Sequence, residues 1–236
     1  MALSGLLGAG SLALFLRPTS APAATRAALP APTARAVTVA VPPPMATPES
    51  RFNALPALSV ENQTSRETQQ LKLYDVSGRV DEAAATRLDA LLCDARDPKH
   101  HQTGRIDRRT LQLIYKAAYH FGSYEVEVVS AYRKPGRHRE GPHGTGAAVD
   151  FRLRNVTAAL LASFLRDQPR TGVGVYTHPK TQYVHLDVRE HSFHWLDASP
   201  PRRRWREKSI GARDLVVRDG SFTPALDLPE GLATTP

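Results

Sequence analysis

Alternating apolar and polar positions predict two short strands that share one design. In GAAVDFRL, Val149 and Phe151 fall on one face and Asp150 falls on the other. In YVHLDVR, His185 and Asp187 point away from the valines and the leucine around them. Each strand therefore has an apolar back and an ionisable front. If the two strands are neighbours in a sheet, their polar fronts line one cleft.

Helical spacing of apolar residues predicts three helices. Asp81 is the expected N-cap of the first and Asp107 that of the second, and either Asn155 or Thr157 opens the third. Further strands are predicted in LKLYDV (71–76), YEVEVVS (124–130) and GVGVYTH (172–178). Short turns between the late strands favour antiparallel pairing. The prediction is an α+β fold in which helices pack on a small antiparallel sheet.

Composition changes along the chain and predicts four regions. Residues 1–23 resemble a signal peptide, because MALSGLLGAGSLALFL is too short to span a bilayer and is followed by a small-residue cleavage site, although a charged leader is missing. Residues 24–67 are rich in Ala and Pro and are predicted to be a disordered linker. Residues 68–208 are predicted to form the domain, and 209–236 a mobile tail. Export to the periplasm or cell envelope is expected.

The chain carries a formal net charge of +8, much of it in RRRWREK (202–208). Basic clusters can neutralise nucleic-acid phosphates. No aromatic-interleaved platform or recognition-helix pattern accompanies this one, so nucleic acid is not an expected partner. The charge is better explained as a solvated basic surface of an exported protein, with weak association with an anionic envelope.

A histidine-rich loop precedes the first of the two polar-fronted strands. His143 lies there between a proline and two glycines, Gly144 and Gly146, which permit a sharp turn. His143, Asp150 and His185 would give a His–Asp–His set with a fourth position open, which is the ligand count of a catalytic zinc site. A half-exposed sheet with solvated polar residues is the alternative, and the residue types alone leave both interpretations open.

Three ordered motifs carry a family resemblance. They are SAYR (130–133), HGTGAAVD (143–150) and VHLD (184–187), followed by Trp195. In this order they resemble the murein endopeptidase K family, which comprises bacterial zinc peptidases of the hedgehog/DD-peptidase fold related to D-Ala-D-Ala carboxypeptidases. The resemblance covers residues 71–195. It implies one Zn²⁺ held by His143, Asp150 and His185 in a cleft on one face of the sheet, and hydrolysis of peptidoglycan peptide cross-links by metal-activated water.

The resemblance also implies roles for the neighbouring residues. Arg133 would clamp a carboxylate of the peptide stem, with Ser130 and Tyr132 on the same substrate-binding side. In related peptidases the general base precedes the last ligand by two or three positions, where this chain has Gln182 and Tyr183.

Two other residues are therefore candidate bases. Asp187 is the first choice, although it could instead orient the ring of a ligand histidine, and Glu140 is the second. Pro142 before His143 and the missing glycine after Asp187 are further departures from the family pattern, and two further functions stay open. One is a D-Ala-D-Ala-type carboxypeptidase, and the other is a non-catalytic, zinc-containing module that binds cell-wall peptide.

Overall fold

A computed structural model describes residues 47–93, 104–134, 141–201, 203, 205, 208–211 and 214–232. Within these residues the architecture is α+β, as predicted, with a single sheet of eight strands. The helices are α1 (Pro48–Ala54), α2 (Glu82–Leu91), α3 (Arg108–Phe121), α4 (Ala158–Arg166) and α5 (Leu215–Gly220), with a short 3-10 helix at Pro224–Asp227. The strands are β1 (Leu58–Asn62), β2 (Thr68–Leu71), β3 (Glu125–Ser130), β4 (Ala148–Leu153), β5 (Thr171–Tyr176), β6 (Val184–Val188), β7 (Phe193–Asp197) and β8 (Lys208–Ser209).

The strands are ordered β2-β1-β3-β4-β6-β5-β7-β8 across the sheet. Most neighbours are antiparallel, but β1 pairs with β3 and β5 pairs with β7 in parallel. The predicted small antiparallel sheet is therefore corrected to a larger, mixed one. Turn lengths constrain only strands that follow each other directly. They could not show that β7 passes β6 and pairs with the far edge of β5.

The helix termini follow the expected capping chemistry. The Asp81 side chain accepts hydrogen bonds from the first backbone amides of α2, and Asp107 does the same for α3. Of the two candidates for α4, Thr157 is the cap, and its hydroxyl accepts from the backbone amide of Leu160. These caps fix where each helix begins.

The folded part extends beyond both predicted boundaries. The stretch predicted as linker contains α1 and β1, and Leu58 of β1 is fully buried beside β3. The segment predicted as a mobile tail contains α5 and the 3-10 helix. Its Asp227 is buried and accepts a hydrogen bond of 2.8 Å from Nε of Arg109 on α3. Both segments are short and poor in periodic apolar residues, so their order depends on packing against distant parts of the chain. The segment predicted as a signal peptide lies outside the described residues.

The two faces of the sheet are chemically different. Helices α3 and α4 cover the face on which Val149, Phe151, Val184 and Leu186 are buried, each at 0% exposure. The polar residues of β4 and β6 point to the opposite face, because neighbouring side chains of a strand alternate. In the described part of the chain, no helix is long and apolar enough to cross a membrane.

Candidate metal centre

Strands β4 and β6 are antiparallel neighbours, and their register places two predicted ligands side by side. Asp150 lies directly opposite His185, and Ala148 lies opposite Asp187. The side chains of Asp150, His185 and Asp187 point to the face away from the helices. All three residues are buried, with exposures of 4%, 7% and 1%. The sequence prediction that the two polar fronts meet is therefore confirmed in the structure.

The third predicted ligand, His143, comes from the loop before β4. The carbonyl of His143 accepts from the amide of Arg133 at 3.1 Å, and the carbonyl of Gly146 accepts from the amide of Asp107 at 2.9 Å. Gly146 has a φ of +78°, and a Cβ there would lie 2.0 Å from the carbonyl oxygen of Arg105. Only glycine fits this conformation and this close approach. The turn therefore holds His143 beside the sheet.

Three donor atoms from these residues form a small triangle. His143 Nε2 lies 3.2 Å from His185 Nδ1 and 3.3 Å from Asp150 Oδ1, and the last two atoms are 2.8 Å apart. When ligand bonds of 2.0–2.1 Å meet at tetrahedral angles, the donor atoms lie about 3.3 Å apart. The triangle thus has nearly the dimensions of one face of a tetrahedral zinc site.

The outer nitrogens of both rings make contacts that leave lone pairs facing the triangle. His143 Nδ1 lies 2.7 Å from the carbonyl oxygen of Ala131, to which it can only donate. His185 Nε2 lies 3.0 Å from a carboxylate oxygen of Asp187. If both outer nitrogens carry the proton, two nitrogen lone pairs and one carboxylate oxygen converge with no hydrogen between them. A cation is the group that such a set accommodates, and carbonyl or carboxylate partners behind ligand histidines are typical of metal sites.

The electrostatics of the site also favour a positive charge among His143, Asp150 and His185. Burial by itself would lower the pKa of His185, but hydrogen bonds to Asp150 and Asp187 raise it to about 9. Burial would raise the pKa of Asp150, but hydrogen bonds to His143 and His185 outweigh it and hold the pKa well below its usual range. Without a metal ion, the two carboxylates hold a proton on His185. A metal ion would have to displace that proton.

We expect the metal-free protein to be less stable near pH 10 than near pH 6. The folded pKa of His185, about 9, exceeds its ordinary value of 6.5, so its stabilising charge is fully present below 6.5 and is lost as the pH rises through 9. This shift corresponds to about 3 kcal/mol. Urea unfolding with a chelator present, repeated across this pH range, measures it. Equal stability at both pH values would contradict the prediction.

At acidic pH the carboxylates govern the stability. The pKa values of Asp150 and Asp187 are both lowered from 3.8 in the folded protein, so their stabilisation is present above that value and is lost as the pH falls below it. The same unfolding series, extended to about pH 3, should show this second decline.

The three residues predicted to bind substrate lie in different environments. Nη2 of Arg133 donates to Asp150 Oδ2 at 2.7 Å, and Nε donates to the hydroxyl of Ser130 at 2.7 Å. Arg133 thus holds the carboxylate of a predicted metal ligand in place, while its own side chain stays 40% exposed at the cleft. Tyr132 packs its ring against Gly104, where a Cβ would lie 2.1 Å from that ring. Neither Ser130 nor Tyr132 lines the cleft.

Asp187 does not have the position of a general base. Its carboxylate is 1% exposed, accepts from His185 Nε2 and forms a two-bond ion pair with Arg189. The structure favours the alternative that the sequence left open, in which Asp187 orients the ring of a ligand. Residues 185 and 187 lie on the same face of β6. The Asp187 carboxylate contacts Nε2 of His185, whereas Nδ1 of that ring belongs to the triangle. Glu140, the second candidate base, lies outside the described residues.

A cleft of about 460 Å³ opens in front of the triangle. Sequence reasoning did not assign a role to five residues that line it, which are Tyr176, Tyr183, Arg189, Asp197 and Arg203. Of these five, Tyr176 belongs to β5 and Asp197 to β7, and only the strand order shows that these two strands continue the face formed by β4 and β6.

Gly174 of β5 provides room on the same face. Gly174 pairs with His185 of β6 on one side and with Trp195 of β7 on the other. A Cβ at Gly174 would lie 2.3 Å from the indole of Trp195. The indole therefore lies directly over the strand, with its ring centroid 5.1 Å from that of His185. Trp195 thus forms the wall of the cleft beside the predicted metal.

Three converging donors beside an open cleft are the arrangement of a metallohydrolase, in which water or substrate completes the coordination. Residues 52–195 match the family model described as peptidoglycan L,D-endopeptidase MepK, a group of M15 peptidases. This match spans more than half of the chain, and the chain belongs to that family. The family inferred from the three motifs is confirmed, and the protein is a peptidase of the class that acts on peptidoglycan. No curated protein and no solved structure matches the chain.

Proposed function

We propose that the protein is a zinc-dependent endopeptidase that hydrolyses L,D peptide cross-links of peptidoglycan. The observation that carries the metal assignment is the triangle of His143 Nε2, Asp150 Oδ1 and His185 Nδ1, whose edges are 2.8–3.3 Å. Two imidazoles and one carboxylate suit zinc better than calcium or magnesium, which prefer oxygen ligands. The family description supports the L,D specificity.

Each residue around the triangle has a defined part in this proposal. His143, Asp150 and His185 would hold one Zn²⁺. A zinc ion with an open position lowers the pKa of water towards neutrality and polarises a substrate carbonyl. Asp187 fixes the ring of His185, and Arg133 fixes the carboxylate of Asp150. The exposed part of Arg133 also faces the cleft, where it would meet a carboxylate of the peptide stem.

The surroundings of Tyr183 favour a hydrogen-bond donor rather than a general base. It lines the cleft two residues before His185, and its ring stacks on Tyr176 with centroids 4.4 Å apart. Burial raises the pKa of its phenol, and the nearby carboxylate of Asp150 raises it further. A phenol that keeps its proton can donate a hydrogen bond to the carbonyl oxygen as negative charge develops there.

We expect Tyr183→Phe to lower kcat by roughly 10- to 100-fold, the effect of losing one hydrogen bond to a charged group. Metal content should not change, because the hydroxyl is not a ligand, and the ring stack with Tyr176 is retained. Steady-state kinetics on a purified muropeptide dimer measure the effect. Tyr124→Phe, an exposed tyrosine outside the cleft, is the matched control. An unchanged kcat would remove Tyr183 from the mechanism.

The proposed reaction is tested by incubating the zinc-loaded protein with defined muropeptides. Three substrates separate the alternatives: an L,D-linked dimer, a D,D-linked dimer and a monomer that ends in D-Ala-D-Ala. Cleavage of the first alone supports the proposal. Release of terminal D-Ala would identify a carboxypeptidase, and binding without cleavage would identify a non-catalytic module.

The substrate also has consequences for location. Peptidoglycan lies outside the cytoplasmic membrane, so we propose that the protein is exported to the periplasm or envelope, as the N-terminal sequence predicts. Fractionation of cells that express the full chain tests this. Recovery of the protein in the cytoplasmic fraction alone would contradict it.

A further inference from the structure

A second row of side chains runs parallel to the row that contains the metal ligands. In the first row, His185 of β6, Gly174 of β5 and Trp195 of β7 are direct neighbours. Two residues further along β5 and β7, Tyr176 lies beside Asp197. Because the offset is two residues, both rows point to the same face. The cleft in front of the metal ligands therefore extends over Asp197.

Asp197 is a buried carboxylate without a cationic partner. Its exposure is 7%, yet no lysine, arginine or histidine nitrogen lies within 4.0 Å of it in the described part of the chain. Every other buried aspartate of the cleft has such a partner: Asp150 has Arg133 and His185, and Asp187 has Arg189. Buried charges are normally paired. Among the residues that the structure describes, none supplies a positive charge to the Asp197 carboxylate.

Local structure explains the hydrogen bond that the Asp197 side chain makes to the chain that follows β7. Asp197 Oδ1 accepts from the backbone amide of Ser199 at 2.7 Å, which forms a turn at the end of β7. That turn requires an acceptor oxygen and not a negative charge, because asparagine forms it equally well. The turn therefore explains why a short side chain with an acceptor oxygen stands at position 197. It does not explain why that side chain is negatively charged.

A positive group lies further out in the same cleft. Arg203 lines it, is exposed, and forms no ion pair with Asp197 or with any other acidic residue that the structure describes. One anionic and one cationic side chain thus line the same cleft without forming an ion pair with each other. The matching ligand carries an ammonium and a carboxylate on one carbon, as a free amino-acid end does.

The distance to the metal ligands suits one such ligand. Two strand spacings and a two-residue offset put the Cα atoms of His185 and Asp197 roughly 12 Å apart. In an extended diaminopimelyl group, about 7 to 8 Å separates the carbonyl carbon of the L-centre from the nitrogen of the D-centre. The two lengths are of the same order, so one extended diaminopimelyl group can reach from the predicted metal ligands to Asp197.

We propose that Asp197 and Arg203 form a subsite for the free D-centre of the diaminopimelyl residue whose carbonyl is cleaved. Asp197 binds the ammonium and Arg203 binds the carboxylate. This subsite rests on the proposed peptidase function and specifies its substrate. In an L,D cross-link the acyl-side residue keeps this zwitterionic end, so the subsite recognises the acyl side of the scissile bond.

The test substitutes Asp197→Asn, which retains the acceptor for Ser199 and removes only the charge. Kinetics are measured on two L,D-linked dimers, one with a free amine at the acyl-side D-centre and one with that amine acetylated. We expect Asp197→Asn to lower kcat/KM for the free-amine dimer by about 10-fold or more. The acetylated dimer should be a poor substrate of the wild type and should be insensitive to the substitution. Glu190→Gln, an exposed change of the same charge next to Arg189, is the matched control.

Equal kinetics of Asp197→Asn and wild type on the free-amine dimer would overturn the subsite and leave Asp197 as a turn residue only. A binding measurement separates this failure from failure of the peptidase assignment. Calorimetry with chelator-treated protein compares a stem tripeptide ending in diaminopimelate with one ending in lysine, which lacks the second carboxylate. The subsite predicts tighter binding of the first, and weaker binding after Asp197→Asn or Arg203→Ala. Equal affinities of both peptides for all proteins would refute it even if hydrolysis is observed.

Discussion

His143→Ala is expected to abolish both metal retention and hydrolysis. The substitution removes one of the three donor groups. Asp150 and His185 remain, and they cannot form the three-donor site on their own. Loss of a residue behind a metal ligand costs roughly 10- to 100-fold in affinity, and loss of the ligand itself should exceed that range. His143 is the best ligand to change because its only other side-chain contact of note is the carbonyl of Ala131. The fold should therefore survive.

Metal content after dialysis, measured by mass spectrometry, and muropeptide release are the two readouts. His191→Ala is the matched control, since His191 is exposed and is not one of the three grouped residues. Thermal unfolding in chelator should place wild type and His143→Ala close together. A His143→Ala protein that keeps one tightly bound zinc per chain would contradict the assignment of His143 as a metal ligand.

Asp187→Ala is expected to lower both stability and metal affinity, although it removes no ligand. His185 would lose the acceptor that fixes its ring, and Arg189 would lose its ion-pair partner. Breaking a buried pair in this way costs about 3 kcal/mol or more, and loss of the orienting carboxylate lowers metal affinity by roughly 10- to 100-fold.

Asp187→Asn distinguishes an orienting role from a catalytic one. Its amide oxygen can still accept from His185 Nε2, so the ring stays in place, whereas an amide cannot act as a general base. We expect the asparagine variant to recover most of the metal affinity and a large share of the activity. Full metal binding with no activity in Asp187→Asn would restore the general-base interpretation.

The sequence by itself determined the elements that depend on local chemistry. Asp81 and Asp107 cap helices because a short side-chain oxygen reaches the first free amides. The alternation of side-chain directions along VHLDV places His185 and Asp187 on one face of their strand, whichever strands become its neighbours. The three motifs identified the family and indicated the candidate ligands, since residue types and their spacing are properties of the chain.

The tertiary structure decided everything that depends on which strands are neighbours. Only the pairing of β4 with β6 brings Asp150 to His185, and only the parallel addition of β7 to β5 carries Asp197 into the same cleft. The roles of Asp187 and Arg133 changed because the structure shows what already occupies their polar atoms. Contacts between residues far apart in the chain leave no periodic signal along it, so strand order and side-chain partners had to be observed in the fold.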